Sequence, residues 1–112
     1  MTLNELAKRC HNDAESMGWY DEGKTKSDLE LLLMIITEVV ETVEELRKPE
    51  PQMHYYNSDK TTKPEGVAVE LADTIIRLLD FCAYKQIDIE QIISEKLKYN
   101  LTRGFRHGNK QF

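Results

Sequence analysis

Two acidic pairs, Glu38-x-x-Glu41 and Glu70-x-x-Asp73, are the residues of this chain best suited to chemistry. Residues three apart on a helix share a face, with Cβ atoms about 5–6 Å apart. Two such helices packed together would aim four carboxylates at one point. Four like charges that close repel unless a cation lies among them or some are protonated. Oxygen ligands with no sulfur or imidazole beside them suit Mg²⁺, Mn²⁺ or Ca²⁺. The spacing therefore hints at a metal, and through it at a phosphate-bearing substrate. The plainer reading is a solvated acidic face, with Arg77 following Asp73 by four as a helix salt-bridge partner would. Against it, Glu38 and Glu41 continue directly from the most apolar stretch of the chain, and the second pair is bracketed by Val67, Val69 and Ile76. Carboxylates at the margin of a core need neutralising.

A second cluster, Lys96, Asn100 and Arg103, falls on one helical face beside Tyr99 and supplies donors suited to phosphate oxygens. Cations near a helix C-terminus are favoured in any case, so on its own the cluster says little. Near the start, His11 and Trp19 precede the glycine-containing turn around Gly23. A capping or core histidine and a core tryptophan are the plain readings, a base-stacking pair the functional one.

These residues must be positioned by helices. Thr2-x-x-Glu5 and Ser27-x-x-Glu30 are capping boxes that open the first two, the first ending or kinking at Gly18 and the second running to Lys48 before Pro49. A third is expected from about Pro64 to Gln86, and a fourth from Asp88 to just before Gly104. No strand is expected. Residues 49–66 form one long loop holding all three prolines, and residues 104–112 a basic tail. The fold class is all-α, a four-helix bundle in a single domain spanning residues 1–112. On the second helix Leu32, Ile36, Val39, Val40 and Val43 define the expected core side, opposite Glu38, Glu41 and Glu45. On the third, Leu71, Ile75, Leu78, Leu79 and Cys82 do so, with Glu70, Asp73 and Arg77 turned away. Residues 31–36 are six consecutive apolar residues covering every direction of their helix. That predicts completion by homo-oligomerisation, most simply a symmetric dimer, the rival being a helix fully enclosed by the other three.

The 112 residues carry a formal charge of −5, which argues against a nucleic-acid backbone binder. After Glu95 there is no acid, only Lys96, Lys98, Arg103, Arg106 and Lys110 among the ionised groups. Cys10 and Cys82 have no metal or redox spacing, which suits a reducing compartment. The polar residues after Met1 predict no signal peptide, and no apolar run approaches the ~20 residues of a membrane span. A cytoplasmic protein without nucleic-acid or membrane partners is expected.

The string Ile36-Thr-Glu-Val-Val-Glu-Thr-Val-Glu-Glu-Leu-Arg47 resembles the first metal-binding helix of the MazG-like all-α NTP pyrophosphohydrolases, whose pattern is Glu-Glu-x-x-Glu, a variable loop, then Glu-x-x-Asp. Glu38 and Glu41 match its second and third acids, and Glu70 and Asp73 the last two. The segments Pro64–Asp73 and Lys96–Arg103 are similar to compact members, and the likeness extends over roughly residues 3–107. Thr37 stands where the family has the first glutamate of the doublet, and Glu44 and Glu45 lie too far along to replace it. The resemblance implies a MazG-like bundle, dimeric or a dimer of dimers, hydrolysing a nucleoside triphosphate to monophosphate and pyrophosphate with Mg²⁺, for which Mn²⁺ could substitute, in nucleotide-pool housecleaning. It implies metal ligation by Glu38, Glu41, Glu70 and Asp73, with Glu38 or Glu41 positioning the attacking water. Lys96, Asn100 and Arg103 would hold phosphates, and His11 and Trp19 would line a base pocket. No Walker-type glycine loop is present, and neither acidic motif has the Glu-x-x-His spacing of a di-iron bundle. The alternative is a catalytically impaired metal- or nucleotide-binding bundle acting as a regulatory or interaction module, which Thr37 keeps in view. A purely structural dimerisation module is the remaining rival.

Overall fold

Three of the four long helices begin where a side-chain oxygen is at hand to cap them. The computed structural model, which describes residues 1–57 and 62–111, places α1 at Leu3–Ser16 and α2 at Asp28–Leu46. In both, the Thr2 and Ser27 hydroxyls accept from the N3 amides while Glu5 and Glu30 reach back to the cap, so both expected boxes form. A two-stranded hairpin follows, β1 at Tyr55–Asn57 and β2 at Lys63–Glu65, and then α3 at Val67–Tyr84. The chain closes with α4 at Ile89–Thr102 and a short α5 at Arg106–Asn109. The Asp88 carboxylate caps α4 by accepting from the Gln91 amide at 3.1 Å.

The loop and the tail differ from expectation. The loop contains antiparallel strands, with Tyr55 opposite Glu65 and Tyr56 opposite Pro64, so Pro64 belongs to a strand and α3 starts three residues later. Both strands are edges of a two-stranded ribbon, where a missing N–H is tolerated. Gly66 joins β2 to α3 at φ +120, and a Cβ there would come within 2.5 Å of the Met53 carbonyl oxygen. That approach lets the Gln52 and Met53 carbonyls accept from the Val67 and Ala68 amides, replacing a side-chain cap. Residues 58–61 of the expected loop and Phe112 of the expected tail lie outside the described residues.

The core sits between α1 and α3, where Ala7, Cys10 and Leu79 are buried with Leu3, Leu6, Ala83 and Ile89 packed around them. Cys10 and Cys82 are buried free thiols whose pKa values are raised by burial. The largest correction concerns the faces of α2 and α3. The buried residues of α2 are Ile35, Glu38 and Thr42, whereas Leu32, Ile36, Val39, Val40 and Val43 are about half exposed, Ile36 reaching 57%. On α3, Leu79 and Cys82 are buried as expected but Leu71, Ile75 and Leu78 are exposed. The predicted stripe of α2 and the Leu71, Ile75 and Leu78 part of that of α3 therefore point outward, and the α2 face bearing Glu38 points inward at α3. Among the long helices α2 packs chiefly on α3, whereas α3 also packs on α1, so only the side of α2 that faces α3 is covered. The dimensions agree: the Cα radius of gyration is 17.1 Å, against about 13 Å for a packed domain of this length. The accessible surface is 8793 Å², against about 6,400 Å² for a folded monomer of this mass.

Candidate metal and nucleotide site

Because α2 and α3 lie side by side with these faces together, Glu38, Glu41 and Glu70 converge. Each puts one carboxylate oxygen within 4.8 Å of the others. Glu38 is buried, 8% exposed, and Arg77 Nε donates to its Oε1 at 2.7 Å. The guanidinium thus pairs across to α2, in place of the helical Asp73–Arg77 pair that the spacing alone suggested. Glu70 is half-buried, and its carboxyl is pushed up to about 7 by burial, by a hydrogen bond to Glu41 and by the charges of Glu41, Asp73 and Glu38. Crowding by these neighbouring carboxylates and burial thus favour the protonated form of Glu70. Asp73, one turn beyond Glu70, is outside the group of three. Its carboxyl is raised by burial and by Glu38, and opposed by Arg77 and by Lys63 of β2.

This donor set fits a hard divalent cation. Oxygen ligands at about 2.1–2.4 Å from a cation are separated from one another by up to about 4–5 Å. The three converging oxygens meet that span, and a cation there would offset the repulsion that raises Glu70. Glu38, Glu41 and Glu70 would form the set, with Asp73 completing it from the next turn of α3.

Beside the acids, a cavity of about 520 Å³ opens between α1, α2 and α3. Glu38, Asp73 and Arg77 are part of its wall, and Trp19, Met34 and Ile76 supply apolar surface. Trp19 is 49% exposed with Lys26 Nζ 5.5 Å from its ring centroid, so it is a wall residue and not a core one. A flat aromatic beside an apolar hollow of this volume can stack a nucleobase. His11 does not line the cavity. Both its ring nitrogens meet carboxylates, Nδ1 at 2.8 Å from Asp80 and Nε2 at 3.0 Å from Glu15. The Tyr20 hydroxyl donates to the same Asp80 at 2.9 Å, and its ring packs edge-on to His11. Burial and that hydrogen bond raise the Tyr20 pKa. His11 thus anchors, through Asp80 and Tyr20, the turn that carries Trp19.

The α4 cluster forms but stands apart. Lys96 Nζ lies 4.8 Å and Arg103 Cζ 5.8 Å from the Tyr99 ring centroid, and Asn100 Oδ1 is a buried atom without a hydrogen-bond partner. In the chain α4 packs on α1, where Asn4 bonds Asp88 and Glu90, and makes little contact with α2 or α3. The carboxylates and the cavity are brought together; Lys96, Asn100 and Arg103, expected to hold phosphates, are not brought to them. Sequence reasoning missed Arg77 as the partner of Glu38, Lys63 near Asp73, and the Asp80–Tyr20 anchor. The first two depend on packing across elements, although an arginine one turn beyond the acidic motif was a usable signal.

No family model, no curated protein and no solved structure matches the chain.

Proposed function

We propose that the chain is a Mg²⁺-dependent nucleoside triphosphate pyrophosphohydrolase of the MazG-like all-α type, converting a (d)NTP and water to the (d)NMP and pyrophosphate in the cytoplasmic nucleotide pool. The observation that carries this reading is the convergence of Glu38, Glu41 and Glu70 beside a cavity walled by Trp19. Bound at the four carboxylates, Mg²⁺ supplies the positive charge that an acidic protein otherwise lacks for a triphosphate. Glu41 is exposed and, among the described residues, in no ion pair, so it is better placed than Glu38 to orient the water that attacks the α-phosphorus and to accept its proton. The bond to the bridging oxygen breaks and pyrophosphate leaves. Trp19 stacks the base, and His11 serves by holding the turn that carries it. Lys96, Asn100 and Arg103 hold phosphate oxygens, contributed by a second copy of the chain.

That second copy, in a homodimer or a dimer of dimers, is supported by the outward apolar stripes. The surface in excess of a packed monomer is about 2,400 Å² per chain, the scale of an obligate interface. Among the described residues no helix is long and apolar enough to cross a membrane.

Pyrophosphate release from a panel of ordinary and modified NTPs and dNTPs, with Mg²⁺ and with EDTA, tests the proposal. Metal-dependent release from one substrate group supports it. The Arg77–Glu38 ion pair favours a second reading, a metal- or nucleotide-binding module without turnover, because one acid is already neutralised. No release from any substrate, with Mg²⁺ still raising the melting temperature, would select that module.

A further inference from the structure

Arg77 occupies a position that neither a structural ion pair nor the four-carboxylate site accounts for by itself. It lies on α3 one turn beyond Asp73, its side chain is 35% exposed, and it lines the same cavity as Trp19. Its Nε is committed to Glu38 at 2.7 Å, and among the described residues it makes no other hydrogen bond. The remaining N–H groups of a guanidinium form a planar fork matched to phosphate oxygens. Here they are left at the wall of a cavity large enough for part of a nucleotide. A cation entering among Glu38, Glu41 and Glu70 meets this guanidinium as a competitor for Glu38 and as a like charge nearby.

Resting on the pyrophosphohydrolase reading above, we propose that Arg77 has two positions: paired to Glu38 while the acids hold no cation, and turned onto the triphosphate oxygens when cation and substrate are bound. One side chain then couples the two ligands. The metal must displace Arg77 from Glu38, the triphosphate gives Arg77 a new anionic partner, and each ligand assists the other by the same factor. The pair also spares the cluster one uncompensated charge between turnovers.

Binding measurements separate this device from a merely structural pair. Mn²⁺ alone is titrated into wild type and Arg77→Gln, followed by the loss of the free-ion paramagnetic resonance signal. Inorganic triphosphate, which has no base, is titrated into both proteins at saturating Mg²⁺. Removing the competitor makes Mn²⁺ bind about tenfold tighter in Arg77→Gln, while triphosphate binds about tenfold or more weaker. Arg77→Lys, which keeps the charge but not the fork, falls between the two and guards against a folding defect in the first variant. An Arg77 that only neutralises Glu38 would leave triphosphate affinity unchanged, and that result, or Mn²⁺ binding that stays the same or weakens in Arg77→Gln, overturns the proposal. If wild type binds neither Mn²⁺ nor triphosphate, the enzymatic reading falls as well. If it binds both and the variants match it, only the coupling role of Arg77 falls.

Discussion

Glu70→Gln should stabilise the metal-free protein near neutral pH, and the structure sets the size of the effect. The Glu70 carboxyl sits at about 7 in the folded chain, against an ordinary value of 4.5. The folded state therefore holds this proton more tightly than the unfolded state does, and stability must fall as pH rises between those two values. The contribution is whole below the unfolded value and gone above the folded one. A displacement of this size corresponds to about 3 kcal/mol, which solvent screening at a half-exposed carboxyl reduces to about 1–2 kcal/mol. Glutamine has the shape of the protonated acid and keeps a hydrogen-bond donor for Glu41, so it removes the penalty without leaving a hole. In EDTA at about pH 8 the variant should melt roughly 4–8 °C above wild type. At about pH 5 the two should nearly coincide. Thermal melts followed by far-ultraviolet circular dichroism, at one fixed protein concentration, provide the test. Mg²⁺ should raise the wild-type melting temperature near pH 8 and that of Glu70→Gln much less. An equal gain at both pH values would mean that glutamine simply packs better. No gain near pH 8 would mean that the carboxylates do not crowd one another, and the case for a cation among them would lose its physical basis.

Glu41→Gln and Asp73→Asn should each abolish Mg²⁺-dependent pyrophosphate release while the circular dichroism spectrum stays helical; full activity in both would sink the four-carboxylate site. Trp19→Ala should raise KM for the preferred triphosphate by about tenfold, the loss of roughly 1–2 kcal/mol of stacking. A matching quench of tryptophan fluorescence on substrate binding, in a chain with a single tryptophan, checks the same contact, and an unchanged KM with no quench would place the base elsewhere. Ile36→Asp, at an outward position 57% exposed in the chain, should convert the assembly to monomer in analytical ultracentrifugation. Coincident sedimentation of the variant and wild type would show that this stripe faces solvent.

The helices were legible because their signals are local. The Thr2 and Ser27 boxes and the Asp88 cap each act within one turn, and each forms as the sequence predicts. The hairpin was not, because three prolines masked a short pairing whose only cue was the Tyr55–Tyr56 pair opposite Lys63–Glu65. The face of α2 was assigned backwards, while on α3 the expected stripe is buried only at Leu79 and Cys82. Hydrophobic periodicity tells which side of a helix avoids water, not whether the covering surface belongs to the same chain. Leu32, Val39 and Val43 are exposed in the chain, and Glu38 is buried. Arg77 needed a contact between residues 39 apart, which no local pattern carries. The separation of Lys96, Asn100 and Arg103 from the carboxylates depends on the direction α4 takes after Gln86, whose φ of 56° turns the chain at a residue other than glycine.

That separation has a genetic consequence. The carboxylates lie on α2 and α3, the proposed phosphate-binding residues on α4, and the chain packs α4 against α1 away from the acids. In an assembly where α4 of one copy serves the acids of another, a Glu41→Gln chain and an Arg103→Ala chain are defective in different halves of a site. Neither would work alone, but mixed and reassembled they would regenerate some sites with both halves intact. Each allele would rescue the other, and the fraction of activity recovered would count the subunits that share a site.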